Sequence, residues 1–195
     1  MSAIQGMSGA QSVTSLSADA LDIETLLLSV QSDRARLLDT QLAQQIDLIK
    51  DRNAKVDKLN NLLTSLTDLS KLYGSTDGTA KLEDQKGWKD LSDTQKKEAK
   101  EKLDAALKET GLTMADLAGA QGAIDTNNMG KITLGQVTVA VEKTRGMIDS
   151  LNNTQQMETL RMQSLSNKRN EAYDLMTNFI KKMQDNRSGI ISNMR

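Results

Sequence analysis

The chain lacks cysteine, histidine and proline, and it contains only four aromatic residues among 195. Without histidine it has no side chain that ordinarily titrates near neutrality, and so lacks the commonest general base and metal ligand. Without cysteine it has no thiolate nucleophile, no disulfide and no thiolate zinc site. The remaining carboxylates, lysines and hydroxyls form no phosphate-binding loop or nucleophile elbow. We therefore predict that the protein is not an enzyme, has no catalytic or metal-ligating residues and needs no cofactor.

Long apolar runs and an excess of either charge are also missing. The 25 basic and 26 acidic residues are well mixed, whereas a nucleic-acid-binding protein would show a basic stripe. No run of about 18 apolar residues exists, so we predict no transmembrane segment. Residues 1–20 have neither the basic head nor the apolar middle of a Sec signal peptide. Their richness in Ser, Gln, Ala and Gly predicts a segment that is mobile in the isolated chain.

A heptad repeat of apolar residues begins after Asp22. Its a and d positions, here called the seam, fall at 28, 31, 35, 38, 42, 45, 49, 52, 56, 59, 63, 66, 70 and 73. Ten of these fourteen residues are apolar, which predicts a sustained amphipathic helix. No proline interrupts the repeat, and Gly74 follows it at a place where a helix would stop. We predict an N-terminal coiled-coil helix over residues 21–73.

The same repeat returns near the end of the chain. Its seam falls at 137, 141, 144, 148, 151, 155, 158, 162, 165, 169, 172, 176, 179 and 183, and again ten of fourteen residues are apolar. We predict a C-terminal coiled-coil helix over residues 134–195. Two stretches with equal numbers of heptads can fold back on each other. The predicted fold is therefore all-α, with long N- and C-terminal helices in an antiparallel coiled coil and a small helical insert between them. A two- or three-helix bundle core would account for the same repeat.

Sixteen apolar seam residues are the predicted coiled-coil and self-assembly interface. They are Leu28, Leu38, Leu42, Ile49, Val56, Leu59, Leu63, Leu66, Val141, Ile148, Leu151, Met162, Leu165, Met176, Phe179 and Met183. Further apolar residues lie beside or beyond the seam, namely Leu26, Leu27, Val30, Met157, Leu160, Ile190, Ile191 and Met194. A single antiparallel partner covers only a narrow stripe, so this second apolar face predicts further partners.

Residues 74–133 form the predicted insert. Its stretch from 81 to 109 carries eight basic and eight acidic residues, which is typical of a solvated helix. Ser92 with Gln95 matches the pattern of a capping box, and we predict Gly111 as the C-cap. A second short helix is predicted from Thr113 to about Ile124.

Two features of the insert have a structural and a functional interpretation. Trp88, the only tryptophan, either anchors the insert against a long helix or is an exposed binding residue. The stretch DTNNMGKITLGQ at 125–136 resembles a calcium loop, with five positions that fit, namely Asp125, Asn127, Gly130, Ile132 and Thr133. Met129 and Gln136, however, replace two oxygen ligands of that loop. We predict a turn leading into the C-terminal helix, with calcium binding as the weaker alternative.

The two helical stretches carry a resemblance to a known family. The segment LDIETLLLSVQSDRARLLDTQ is similar to the first helix of EspA-like filament and needle-tip proteins of bacterial type III secretion systems. The C-terminal stretch, with SLSNKRNEAYDLM, FIKKMQ and a closing SGIIS, resembles their last helix. The resemblance covers roughly residues 21–72 and 137–195.

The resemblance implies a structural virulence protein that is exported without a cleaved Sec signal and self-assembles on the extracellular bacterial surface. Residues 1–20 would be the export segment. The product would be a helical polymer or a needle-tip complex that links the needle to the translocation pore. Implied partners are further copies of the chain, needle and translocon proteins, and a dedicated cytoplasmic chaperone. The alternative is a cytoplasmic helical adaptor or secretion chaperone that acts through its coiled coil.

Overall fold

The computed structural model describes the backbone of residues 9–193 and the side chains of residues 23–189 and 191–193. Four α-helices follow one another: α1 (Gly9–Lys71), α2 (Lys86–Lys89), α3 (Asp93–Thr110) and α4 (Leu134–Asn193). Two 3₁₀ turns, Leu82–Asp84 and Thr126–Lys131, lie between them. Within residues 9–193 there is no strand, only two isolated bridges. The protein is all-α, as predicted.

Both ends of α1 differ from the predicted bounds, whereas the start of α4 agrees with them. Helix α1 begins at Gly9, inside the predicted export segment 1–20, and ends at Lys71 rather than at residue 73. Helix α4 begins at Leu134, where the predicted C-terminal helix begins. Residues 1–8 of the export segment lie outside the described residues. In the described part of the chain, none of the helices is long and apolar enough to cross a membrane.

The chain divides into two compact units. The central unit is Asp47–Glu158, and the terminal unit combines Met1–Ile46 with Thr159–Arg195. Each unit contains a part of α1 and a part of α4, and within each unit these two long helices pack against each other.

The central unit contains an extensive hydrophobic core. Residues from α1, the insert and α4 meet there, and the fully buried members include Leu62, Leu66, Leu82, Leu103 and Val137. Because fully burying a side chain of this size contributes about 1.5–3 kcal/mol, this cluster is the main source of stability in the unit.

Hydrogen bonds fasten the two ends of the insert to each other. The Leu82 amide donates to the Ile132 carbonyl (2.9 Å), and the Leu134 amide donates to the Ala80 carbonyl (3.0 Å). The Tyr73 hydroxyl donates to the same Ile132 carbonyl (2.7 Å), and burial raises the pKa of Tyr73. The chain therefore leaves α1 and enters α4 at neighbouring points.

Helix α3 has the ends that the sequence predicts. The Gln95 amide donates to the Ser92 hydroxyl, and the Gln95 side chain accepts from the Ser92 amide, which completes the capping box. Gly111 follows the last residue of the helix in the left-handed region, with φ of 69°. That conformation carries no steric penalty for glycine and closes the helix after Thr110.

The predicted short helix from Thr113 to about Ile124 is wrong. The Thr113 amide and hydroxyl both donate to the Asp116 carboxylate (2.7 Å each), which forms a local turn. Gly119 and Gly122 then form an isolated bridge. A Cβ on Gly119 would lie 2.6 Å from a methyl of Val139, so a larger residue there would force this segment or the Val139 side chain to shift. The pattern of apolar residues there reflects contact with α4 and not a helical period.

The terminal unit contains far less buried apolar surface. Its core among the described residues is Ala35 and Leu38 of α1 with Ala172 of α4, and Leu165 packs against them. Hydrogen bonds also link the two helices in this unit, from Tyr173 to Asp39 (2.8 Å) and from Asn186 to Glu24 (3.3 Å).

Candidate assembly surface

The predicted seam residues are all at least half-buried. Four of the sixteen are buried, namely Leu38, Leu59, Leu66 and Ile148. The other twelve are half-buried: Leu28, Leu42, Ile49, Val56, Leu63, Val141, Leu151, Met162, Leu165, Met176, Phe179 and Met183. The heptad period therefore identifies the side of each helix that is covered.

Contacts between seam residues of α1 and α4 occur inside each unit. In the central unit Leu66 and Val141 belong to the same hydrophobic cluster. In the terminal unit Leu38 and Leu165 do so. Because seam residues are covered within one chain, a surface open to another molecule consists mainly of other residues. A direct role of the seam in self-assembly stays a prediction.

The seam is not uniformly apolar. Gln45 in the terminal unit is only 5% exposed, and its amide nitrogen has no hydrogen-bond partner among the described residues. In the central unit Arg52 forms an ion pair with Glu158, and the side-chain nitrogen of Gln155 donates to the side-chain oxygen of Asn53 (2.8 Å). Burying polar groups in this way costs free energy unless they are paired. The unpaired amide of Gln45 therefore weakens the contact between the helices, whereas the paired side chains of the central unit restrict how the helices can be aligned.

Large exposed apolar side chains concentrate in the terminal unit. Eleven of the thirteen found in the described part of the chain belong to it, against two in the central unit, Leu48 and Met157. The buried apolar residues are distributed the other way, with three in the terminal unit and seventeen in the central unit. We call the eleven the exposed apolar set: Ile23, Leu26, Leu27, Val30, Leu37, Ile46, Leu160, Tyr173, Leu175, Ile180 and Ile191.

The members of this set recur at helical spacing. On α1, Ile23, Leu27, Val30 and Leu37 are separated by four, three and seven residues and so lie on one side of the helix, beside the seam. On α4, Tyr173 and Ile180 are seven residues apart. Leu26 and Leu27 are 67% and 46% exposed, and Val30 is 56% exposed. A row of exposed apolar side chains along one side of a helix is typical of an interaction site.

Sequence reasoning found part of this set. The residues predicted to flank the seam, Leu26, Leu27, Val30, Leu160 and Ile191, are exposed as expected. Met157 is also exposed but belongs to the central unit, and the side chains of Ile190 and Met194 lie outside the described residues. Six members of the set were missed as site residues, namely Ile23, Leu37, Ile46, Tyr173, Leu175 and Ile180.

The loop at 125–136 uses its oxygen atoms internally. The Asp125 carboxylate accepts from the Asn127 amide (3.0 Å) and the Asn128 side chain (2.8 Å), and these hydrogen bonds lower the pKa of Asp125. Met129 points into the core. No group of three acidic side chains able to hold a metal exists among the described residues. The loop is a turn that leads into α4, as predicted.

Gln136 occupies the position of the last carboxylate ligand in a calcium loop, but its side chain makes two sets of hydrogen bonds within the protein. It forms a capping box with Thr133 at the start of α4. Its side-chain nitrogen also donates to the carbonyls of Gln121 and Ala123 (3.1 Å each). This one side chain ties the segment before the loop to the helix after it.

Trp88 is buried in the central core and anchors the insert, so its interpretation as an exposed binding residue is wrong. The ammonium of Lys96 lies 5.8 Å from the centre of its ring. A groove of about 540 Å³ runs between α1 and α3 in the same unit, with Leu69, Leu72 and Leu103 among its apolar lining and Asp68 and Lys102 among its polar lining. Nothing in the lining singles out a ligand.

The candidate site of this protein is therefore a surface and not a pocket. It consists of the exposed apolar set beside the partly covered seam of the terminal unit. Comparison with known proteins adds no assignment: no protein-family model, no curated protein and no solved structure matches the chain.

Proposed function

We propose that this protein is a secreted structural subunit of a bacterial type III secretion apparatus. It would self-assemble into an extracellular filament or needle-tip complex that links the needle to the translocation pore. The exposed apolar set of the terminal unit is the observation that carries the self-assembly, because a soluble monomer gains nothing from keeping eleven large apolar side chains in water. The resemblance of residues 21–72 and 137–195 to EspA-like proteins supports the cellular setting.

The proposed building block is an antiparallel coiled coil of α1 and α4. Contacts inside each unit support this arrangement. In the terminal unit Glu24 contacts Asn186, and Asp39 contacts Tyr173. Residue numbers along α4 therefore fall as those along α1 rise, as they do in an antiparallel pair. In the central unit the same order holds between the ion pair of Arg52 with Glu158 and the hydrogen bond at Asn53.

The free energy gained by covering the exposed apolar set is large enough for association only if most of the set is covered, which requires contacts with several neighbouring subunits. Covering a half-exposed Leu or Ile recovers roughly 1 kcal/mol, about half the value for full burial. Association itself costs on the order of 4–15 kcal/mol in lost freedom. One or two such residues are therefore insufficient, and most of the set has to be covered. A subunit that contacts neighbours through different faces can cover it.

The proposed contacts are heterologous, with exposed residues of α1 in one copy against exposed residues of α4 in the next. A heterologous contact whose rotation does not close produces a helical filament, whereas one that closes produces a ring such as a tip complex. The charged surface of the insert, with eight basic and eight acidic residues between 81 and 109, would face solvent or the lumen. The proposed partners are needle and translocon proteins, and a dedicated cytoplasmic chaperone that covers the apolar set before export.

The deciding experiment measures assembly of the purified full chain as a function of concentration. We expect light scattering to rise with concentration and negative-stain microscopy to show filaments or rings of uniform width. A small oligomer of fixed size at every concentration would contradict the proposal and favour the adaptor or chaperone.

A pair of matched variants assigns the assembly to the exposed set. Leu27→Asp places a charge within the set, whereas Thr40→Asp places the same charge on an exposed position of the same helix outside it. We expect Leu27→Asp to abolish assembly and Thr40→Asp to leave it unchanged, with equal helix content by circular dichroism. Equal assembly of both variants would show that α1 does not use this face.

A further inference from the structure

Two ion pairs of opposite polarity join the long helices, one inside each unit. In the central unit Arg52 of α1 pairs with Glu158 of α4, and the two side chains are only 20% and 15% exposed. In the terminal unit Asp39 of α1 lies 3.8 Å from Arg169 of α4, measured between carboxylate oxygen and guanidinium nitrogen. Helix α1 thus supplies the cation to the first pair and the anion to the second.

Stability alone does not explain the pair in the central unit. Arg52 and Glu158 occupy seam positions, and the seam neighbours of Arg52 on α1 are Ile49 and Val56. Replacing a buried ion pair by apolar residues of similar volume is often neutral or stabilising, because the charges no longer have to be desolvated. Charged or polar residues at seam positions are best known for fixing the alignment and the choice of partner helix.

We infer that these ion pairs select the pairing of α1 with α4 and reject the pairing of like helices from different copies. Both helices carry the same heptad repeat, so a second copy offers two apolar seams to each of them. In a parallel α1–α1 pair, Arg52 would face the same arginine of the second copy, because it occupies a seam position. A parallel α4–α4 pair would likewise bring together two copies of Glu158. Such like-charge contacts are the repulsive elements on which helix specificity depends.

The same pairs do not distinguish α4 of the same chain from α4 of another copy, because either one supplies Glu158 and Arg169. Copies can therefore exchange helices without losing a charge contact, while the wrong combinations are penalised. This inference does not depend on the proposed function, since a chain that forms only small oligomers must make the same choice.

A single cysteine reports on wrong pairing, because the chain has none of its own. Val56 occupies the seam position that follows Arg52 and is half-buried. In a Val56→Cys chain, a disulfide between two copies forms when two α1 helices lie parallel at this level. The reporter is introduced into three proteins. They are the wild type, the double leucine variant (Arg52→Leu and Glu158→Leu) and a matched control in which the two charges are exchanged (Arg52→Glu and Glu158→Arg). The control reverses the ion pair but keeps it.

We expect about tenfold more disulfide-linked dimer in the leucine variant than in the wild type at equal concentration, since that factor corresponds to about 1.4 kcal/mol of lost discrimination. The charge-reversed control should remain at the wild-type level. Circular dichroism and the fluorescence of the buried Trp88 establish that each variant is folded. Equal crosslinking in the leucine variant and the wild type would overturn the inference, and so would equal crosslinking in the leucine variant and the control.

A mixing experiment gives an independent result with one substitution. Arg52→Glu and wild-type chains, both with the Val56→Cys reporter, are unfolded together, refolded and oxidised. A parallel pair of unlike α1 helices would now place glutamate against arginine. We expect mixed disulfide dimers, identified by mass, to exceed the statistical share, and a statistical distribution would overturn the inference.

Discussion

The Tyr173 hydroxyl of α4 donates a hydrogen bond to the Asp39 carboxylate of α1 across 2.8 Å. The same carboxylate lies 3.8 Å from the Arg169 guanidinium, so one acidic group on α1 holds two side chains of α4. The hydrogen bond to Asp39 raises the pKa of Tyr173, because the ionised tyrosine would lose the bond and repel the carboxylate. Polar contacts of this kind align the two helices in a unit that has few buried apolar residues.

This contact gives the terminal unit a dependence on alkaline pH. A group whose pKa is higher in the folded state stabilises the fold below its unfolded pKa, about 10 for tyrosine, and loses that effect as the pH rises through its folded pKa. We therefore expect Tyr173→Phe to lower the thermal midpoint slightly at pH 7–9, and this difference between the two proteins to disappear as the pH rises through the raised pKa of Tyr173. Asp39→Asn serves as the control, because it removes the charge and should return the Tyr173 pKa toward its ordinary value. A Tyr173→Phe effect that persists unchanged at high pH would contradict this account.

The contrast between the two units predicts very different costs for removing leucine side chains. Leu66 is fully buried in the central core, whereas Leu27 is 46% exposed in the terminal unit. We expect Leu66→Ala to reduce the free energy of unfolding by about 2–5 kcal/mol, and Leu27→Ala to change it by less than about 0.5 kcal/mol. Urea denaturation followed by Trp88 fluorescence measures the first, because that tryptophan lies in the same core. Similar losses for both variants, measured by circular dichroism, would show that Leu27 is not exposed in solution.

The long helices and their covered sides could be predicted from sequence because the signal repeats. Fourteen seam positions in each helix average out single exceptions such as Arg52 and Glu158, and every one of them is buried or half-buried. Local signals with a known geometry, such as the capping box of Ser92 with Gln95, were equally informative.

Features that depend on a single distant contact were not predictable. The segment after Thr113 is irregular because Gly119 packs against Val139, a contact between residues twenty apart that no local pattern encodes. The same applies to Gln136, whose side chain bonds to carbonyls 13 and 15 residues earlier. The unequal distribution of buried residues between the two units also escaped prediction, because both halves of each helix show the same heptad repeat.

Gln136 is a test of the loop at 125–136. Gln136→Ala removes the capping box with Thr133 and both bonds to the preceding segment. The side chain makes three hydrogen bonds here, so at about 0.5–1.5 kcal/mol for each we expect a loss of roughly 1.5–4.5 kcal/mol in the free energy of unfolding. Gln136→Glu keeps the side-chain acceptor of the capping box and supplies the carboxylate of a calcium loop. We expect it to show no binding heat in a calcium titration, because Met129 is buried where another ligand would be needed. Micromolar binding by either the wild type or this variant would contradict the interpretation as a turn.

The last prediction separates packing within the chain from contact between copies on α4. Leu165 is a seam residue that packs against Ala35 and Leu38, whereas Ile180 is 39% exposed and belongs to the exposed apolar set. We expect Leu165→Asp to lower the thermal midpoint and block assembly, because the charge would be placed inside the helix pair. Phe179→Asp, at another half-buried seam position, should behave in the same way.

Ile180→Asp should block assembly at an unchanged thermal midpoint, since only a contact with another copy would desolvate the new charge. Asn167→Asp, on an exposed polar position of the same helix, is the control and should assemble normally. If Ile180→Asp assembled like this control while Leu165→Asp did not, α4 would contribute to assembly only through the seam.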